Sequence, residues 1–225
     1  MMNNLFSTFD PSSSLFNLNL NWISSMLLIL FFPLNFWFLP NRLIYTYNLI
    51  ISFLKKEINN LLKLKNFQGN SIFFISIFFM MFFNNFLGLF PYIFTSTSHL
   101  IFNLTFSLPI WFSLMFFGWL NKTQNMFIHL IPNGTPAILM PFMVLIETIS
   151  NMIRPGTLAV RLTANMIAGH LLITLLSSNG PNMSSLMIIF IILAEILLLI
   201  LEISVSVIQT YVFTILSTLY TSEIH

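Results

Sequence analysis

From Ala137 to Leu176 the chain stays apolar, and Glu147, Arg154, Arg161 and His170 are set inside that run. A perpendicular helix needs only about 20 such residues to cross a hydrocarbon core about 30 Å thick. A run about twice that long is expected to cross steeply tilted, and Pro155-Gly156 predicts a local bend because proline removes one backbone hydrogen bond. Ionisable groups at membrane depth cost so much that they mark an ion or substrate path. On a continuous helix a rise of about 1.5 Å per residue puts Arg161 about 21 Å from Glu147 and about 13 Å from His170. Seven-residue steps turn an ideal helix by only about 20° net, so Glu147, Arg154 and Arg161 share one stripe, while His170 points roughly the opposite way. The two proton carriers then open onto different surroundings, as separate inlet and outlet routes require.

A mean hydropathy of +0.90 places the whole chain in a membrane. Only 6% of its residues are charged, against about a quarter in soluble domains. Cysteine is absent, which excludes disulfides, thiolate metal sites and cysteine nucleophiles. The four histidines, His99, His129, His170 and His225, are scattered and supply neither a facing pair for haem nor a copper cluster. No metal or cofactor is therefore expected. The pI of about 9.1 reflects a net charge of only +2 and does not indicate nucleic acid. Abundant Phe, Asn, Ile, Leu and Met reads as translation from an AT-rich genome, such as that of an organelle or endosymbiont.

Residues 1–21 are polar and Asn/Ser-rich and lack the basic start and cleavage site of a removable signal peptide, so they are expected to form an exposed terminus. Residues 22–39 form the first expected span, interrupted by Pro33 and stopped by Pro40-Asn41-Arg42. Over 43–66 the apolar Leu49, Ile50, Phe53, Leu54, Ile58, Leu61 and Leu62 alternate at helical spacing with Lys55, Lys56, Glu57, Lys63 and Lys65. That pattern suits a helix lying in the membrane interface, with a solvated linker helix as the alternative. Residues 72–90 and 99–120 are the second and third spans, and Asn133-Gly134-Thr135-Pro136 opens the next segment. After the long run 137–176, the turn Ser177 to Asn182 leads to a second overlong apolar helix, 184–219, along which Glu195, Glu202 and Gln209 recur every seven residues. The N-x-S/T triplets at Asn103, Asn121 and Asn182 are expected by chance in so Asn-rich a chain. The fold expected is one all-α membrane domain over 1–225: five membrane helices, the last two long and tilted as a hairpin, plus one amphipathic surface helix.

Five spans put Arg42, Lys55, Lys56, Lys63, Lys65 and Lys122 on one side and no Lys or Arg in the opposite loops. The positive-inside rule makes that side the matrix or cytoplasm, with the N-terminus outside and the C-terminus, bearing Glu223 and His225, inside.

Three stretches carry a resemblance: the opening Met-Asn-Asn-Leu-Phe-Ser-Thr-Phe-Asp-Pro; Asn85-x-x-Gly88-Leu89-x-Pro91-Tyr92; and Glu147-x-Ile149-Ser150-x-x-Ile153-Arg154-Pro155 followed by Ala159-Val160-Arg161-Leu162-x-Ala164-Asn165-x-x-Ala168-Gly169-His170. The chain resembles, nearly end to end, the a-subunit (subunit 6) family of F-type ATP synthases in its mitochondrially encoded form. The resemblance implies a multi-pass protein of the mitochondrial inner membrane, whose tilted helices curve along a ring of c-subunits beside other stator subunits. It implies that Arg161 is the family's invariant arginine, that His170 and Glu202 line the intermembrane-space half-channel, that Glu147 lies toward the matrix outlet, and that Asn165 and Gln209 neighbour the arginine. Bacterial members tend to carry an acidic residue where His170 stands and a histidine where Glu202 stands, so this chain shows the mitochondrial arrangement. Folding the hairpin about a turn near Gly180 instead brings Arg161 level with Leu199 to Glu202, away from Gln209.

Arg161 has no acidic residue at i±3 or i±4, unlike a locally paired structural arginine. Arg154, next to Pro155, is read as support for the bend, with Glu147 as its ion partner or as a proton carrier. Glu195 is either a further relay or a hydrogen-bonding group within the helix pair. In the expected mechanism this chain has no catalytic site of its own and no P-loop. A rotor carboxylate about 4 Å from Arg161 gains up to roughly 4 kcal/mol in its ionised form at an effective dielectric of 20 and must deprotonate as it passes. Arginine keeps its proton, so it blocks direct relay between half-channels. The alternatives are a self-contained proton-coupled secondary transporter, which would show inverted repeats and paired broken helices, and a quinone- or haem-handling subunit.

Overall fold

The computed structural model describes residues 5–13, 18–31, 33, 38–62, 68–131, 136, 139–180 and 184–224. Among them every regular element is helical. Two 3-10 stretches, Leu5–Phe9 and Leu20–Met26, precede α1 (Leu28–Phe31). They are followed by α2 (Arg42–Leu62), α3 (Gln68–Gly88), a 3-10 turn at Ser96–Ser98, α4 (Leu100–Asn121), α5 (Thr123–Leu130), α6 (Met140–Asn179) and α7 (Ser185–Ile224).

Four of these, α3, α4, α6 and α7, are long and apolar enough to cross a membrane, so the chain is an all-α membrane protein. Where the first span, 22–39, is expected, the described residues hold the apolar helical run Leu20–Phe31, shorter than a span, and the rest of it lies in part outside them. α5 is an addition. No helix is expected between Lys122 and Asn133 from the residue pattern, yet α5 carries His129 in a helix of its own. α6 and α7 are each 40 residues long, about 60 Å of helix, and α6 runs unbroken through Pro155. Twice the thickness of a hydrocarbon core, they fit a bilayer only when steeply inclined.

Two apolar clusters hold the helices together. In the first, Leu54, Ile58 and Leu62, one residue per turn of α2, pack on Phe74, Ile75, Phe78 and Phe79 of α3. Lys55 and Lys56 point away and are exposed, as the one-sided pattern predicts; Lys63 and Lys65 lie outside the described residues. Glu57 accepts a hydrogen bond from the Tyr211 hydroxyl at 3.1 Å, tying α2 to α7. In the second cluster Ile77 and Met81 of α3, Phe102 of α4, Leu158 and Leu162 of α6, and Phe213 of α7 meet.

α7 is inside-out by the standards of a soluble protein. Glu202, Ser206, Thr210, Thr214, Ser217, Thr218 and Thr221 are buried, while Leu197, Ile200, Leu201 and Ile208 face outward. In lipid, apolar residues gain little by turning inward, whereas small polar ones let helices approach closely. The buried hydroxyls answer their own hydrogen-bonding need by donating to carbonyls three or four residues back, as Ser206 does to Ile203 at 2.7 Å and Ser217 to Thr214 at 2.8 Å.

Candidate functional site

Gly169 on α6 sits directly against Glu202 on α7. A Cβ at Gly169 would collide with Glu202 Oε1 and lie 2.7 Å from its Cδ, so any side chain there displaces the carboxylate. Glu202 is 9% exposed, and both carboxylate oxygens lack a hydrogen-bond partner among the described residues. His170, next in sequence to Gly169, has its Nε2 buried and likewise unpartnered. Its ring lies against the main chain of Gly88 at the end of α3, and Phe9 meets it edge-on at 6.3 Å. The terminus expected to be simply exposed thus reaches back over His170. His99 fastens it, with Nε2 3.0 Å from the Phe9 carbonyl and the Trp22 ring 5.2 Å away.

The same neighbourhood holds polar groups that the sequence reading did not single out as site residues. Asn85, one turn before Gly88, is fully buried with neither amide atom partnered, and Asn103 is fully buried with its Oδ1 unpartnered while Nδ2 donates to Thr97 at 2.8 Å. Buried polar atoms normally find a partner, in protein or in ordered water. Unpartnered polar atoms of Asn85, Asn103, His170 and Glu202 thus gather toward one end of the bundle. The signal was available, since Asn84-Asn85 interrupts an otherwise apolar span.

Three contacts fix how α6 and α7 register. Gly169 faces Glu202, Leu158 and Leu162 share a cluster with Phe213, and the Arg154 guanidinium stands 5.2 Å from the centre of the Tyr220 ring. Counting from the first, Arg161 is eight residues before Gly169 (169 − 161), and eight residues beyond Glu202 is Thr210 (202 + 8), beside Gln209. The turn-based expectation that Arg161 lies level with Leu199 to Glu202 is therefore corrected. The hairpin is asymmetric, because the snug seat of Glu202 on Gly169 sets the register and the loop does not. Gln209, half-buried, comes level with the stretch from Arg161 to Asn165.

Arg161 projects from the open face of α6 and has no hydrogen-bond or ion-pair partner among the described residues. Around it that face is made of Thr157, Val160, Ala164, Asn165 and Ala168, mostly small, whereas Pro155, Leu158, Ala159, Leu162, Thr163 and Met166 form the buried face. Glu195, two turns before Glu202, is half-buried. At the other end Glu147 and Arg154 pair at 3.4 Å, bearing out the same-stripe geometry expected of them. The pair lines a cavity of about 570 Å³ walled by Trp111, Met115, Trp119, Asn151 and Tyr220. Among the described residues no three His, Asp or Glu side chains cluster as metal ligands would.

The family model described as ATP synthase A chain matches residues 18–222. Proteins named ATP synthase subunit a are similar over the full length of both chains: 59% identical in Locusta migratoria, 58% in Drosophila melanogaster and 57% in Anopheles gambiae. An open-face arginine backed by titratable groups and a match over nearly all of its length lead to one placement: the chain belongs to the ATP synthase A chain family.

Proposed function

We propose that the chain is the proton-conducting stator subunit of an F-type ATP synthase in the mitochondrial inner membrane, working against a ring of c-subunits. One observation carries this reading: among the described residues Arg161 has no partner on an open face of mostly small residues, while titratable groups lie behind it at two separated ends. Small residues let a second helix come close, and a cation there needs a carboxylate supplied by that partner. His170 and Glu202, with Glu195 nearby, form the inlet; Glu147 and its cavity form the outlet, with Arg154 and Pro155 supporting them. Asn165 and Gln209 flank the arginine. A proton reaches the rotor carboxylate from the inlet, rides the ring, and leaves toward Glu147 when Arg161 favours the ionised carboxylate. Each proton descending about 100 mV releases roughly 2.3 kcal/mol, so several must pass for each ATP made elsewhere in the complex.

The reading is tested at the inlet. Replacing Glu202 by Gln, or His170 by Phe, is expected to slow rotor-dependent proton flux by about a hundredfold, the scale of a positioned proton-transfer group. Unchanged flux in both variants would return the two residues to packing roles. Orientation is tested on α2. A cysteine at Lys55 or Lys56 should react with an impermeant reagent only from the matrix side, and labelling confined to the intermembrane side would reverse the topology.

A further inference from the structure

Between its two polar ends the bundle has an apolar storey. Along α6, Arg154 at the outlet is followed by Leu158 and Leu162, with the buried Thr163 hydroxyl committed to the Val160 carbonyl at 2.9 Å, before His170 is reached. Along α7, Ser217 and Thr214 are followed by Phe213, and then come Thr210, Ser206 and Glu202. Along α3, Ile77 and Met81 precede Asn85. These apolar residues close on one another with Phe102 in a single cluster, in which Met81 is 0% exposed and Leu162 and Phe213 are each 2%.

Polar atoms with unused hydrogen-bonding capacity stop on either side of it. Asn85, Asn103, His170 and Glu202 lie toward the inlet; the unpartnered Ser107 hydroxyl lies toward the outlet, in a crevice shared with Arg154, Ser217 and Tyr220. The α7 hydroxyls flanking the storey do not bridge it, because their protons are committed to their own helix. Thr210 donates to Val207 at 2.8 Å and Thr214 to Tyr211 at 2.9 Å. From Glu202 to Ser217 is about 22 Å of helix. Arg161 points out of the open face and cannot guard this interior line, which would carry protons past the rotor without turning it.

We propose that Met81, Leu162 and Phe213 are a second insulator of the same reaction, sealing the stator's fixed interior between inlet and outlet. The proposal rests on the half-channel reading above. Close-packed apolar contact leaves no room for water, and a proton crossing it would have to shed its hydration.

The test uses vesicles containing the complete ATP synthase, with the rotor carboxylate blocked by a hydrophobic carbodiimide so that only a bypass conducts. Met81→Gln keeps the length of the side chain but ends it in an amide, Phe213→Tyr adds one hydroxyl, and Met81→Leu is the apolar control. With the rotor blocked, proton leak should rise by about tenfold or more in the two polar variants and stay at the wild-type level in Met81→Leu. Adding Glu202→Gln should remove the extra leak. Assembled Met81→Gln and Phe213→Tyr complexes that remain tight would overturn the seal, as would a leak indifferent to Glu202→Gln. The two failures are distinguishable: if only the seal is wrong, Arg161→Ala still uncouples, whereas if the half-channel reading is wrong, Arg161→Ala stays coupled.

Discussion

Arg161→Ala is expected to abolish ATP synthesis driven by a proton gradient while passive leak through the membrane sector stays the same or rises. The guanidinium stands on an open face with no carboxylate beside it among the described residues, so its charge is available to a partner. At about 4 Å and an effective dielectric of 20, losing it removes up to roughly 4 kcal/mol of preference for the ionised rotor carboxylate. If that penalty falls on the deprotonation step, the rate drops by about a thousandfold. Arg161→Lys should also fail to restore full coupling, because an ammonium is a more compact group that loses its proton when desolvated. Synthesis and proton conduction measured together in membranes carrying each variant decide the matter. Near-normal coupled synthesis in the alanine variant would leave Arg161 a helix-packing residue.

Gly169 gives the second large expected effect, and it separates function from folding. The atoms a new Cβ would strike, Oε1 and Cδ of Glu202, belong to the free end of a flexible side chain. Gly169→Ala should therefore assemble, with the carboxylate pushed aside by about 1 Å, a misplacement that can cost about a hundredfold in a positioned reaction. Gly169→Val should stop rotor-dependent flux. Shortening the acid in the Gly169→Ala, Glu202→Asp double variant should recover part of the loss, since the carboxylate then retracts from the intruding methyl. Flux and the amount of assembled complex would be followed side by side; full flux in Gly169→Val would mean that the seat of Glu202 does not matter.

Much of this architecture was readable from one chain. Length and hydropathy alone gave two overlong helices, and seven-residue spacing put Glu147 and Arg154 on one stripe, where they pair at 3.4 Å. What arithmetic missed was the register of the hairpin. Spacing along a helix is fixed by its pitch, but alignment between helices depends on which side chains fit together, and a glycine opposite a glutamate has no signature in hydropathy. The interior amide of Asn103 was hidden for a related reason: asparagine is abundant in this chain, so a buried one looks like its many surface counterparts until its neighbours are known, whereas Asn85 stands out by interrupting an apolar span. The docking of Phe9 on His170 joins residues far apart in sequence, and no local pattern encodes it.

The inverted α7, with hydroxyls inward and aliphatic side chains outward, also bears on how the two faces of the protein tolerate change. Dispersion contact loses much of its strength over a gap of an ångström or less, so it insulates only between parts that never slide past one another. Coulomb attraction falls only as the reciprocal of distance and survives relative movement. In the proposed working arrangement the fixed interior is closed by shape and the sliding face by charge. Volume changes should therefore be poorly tolerated at Met81, Leu162 and Phe213, whereas at the outward-facing Ile200, Leu201 and Ile208 of α7 one aliphatic side chain should replace another with little consequence.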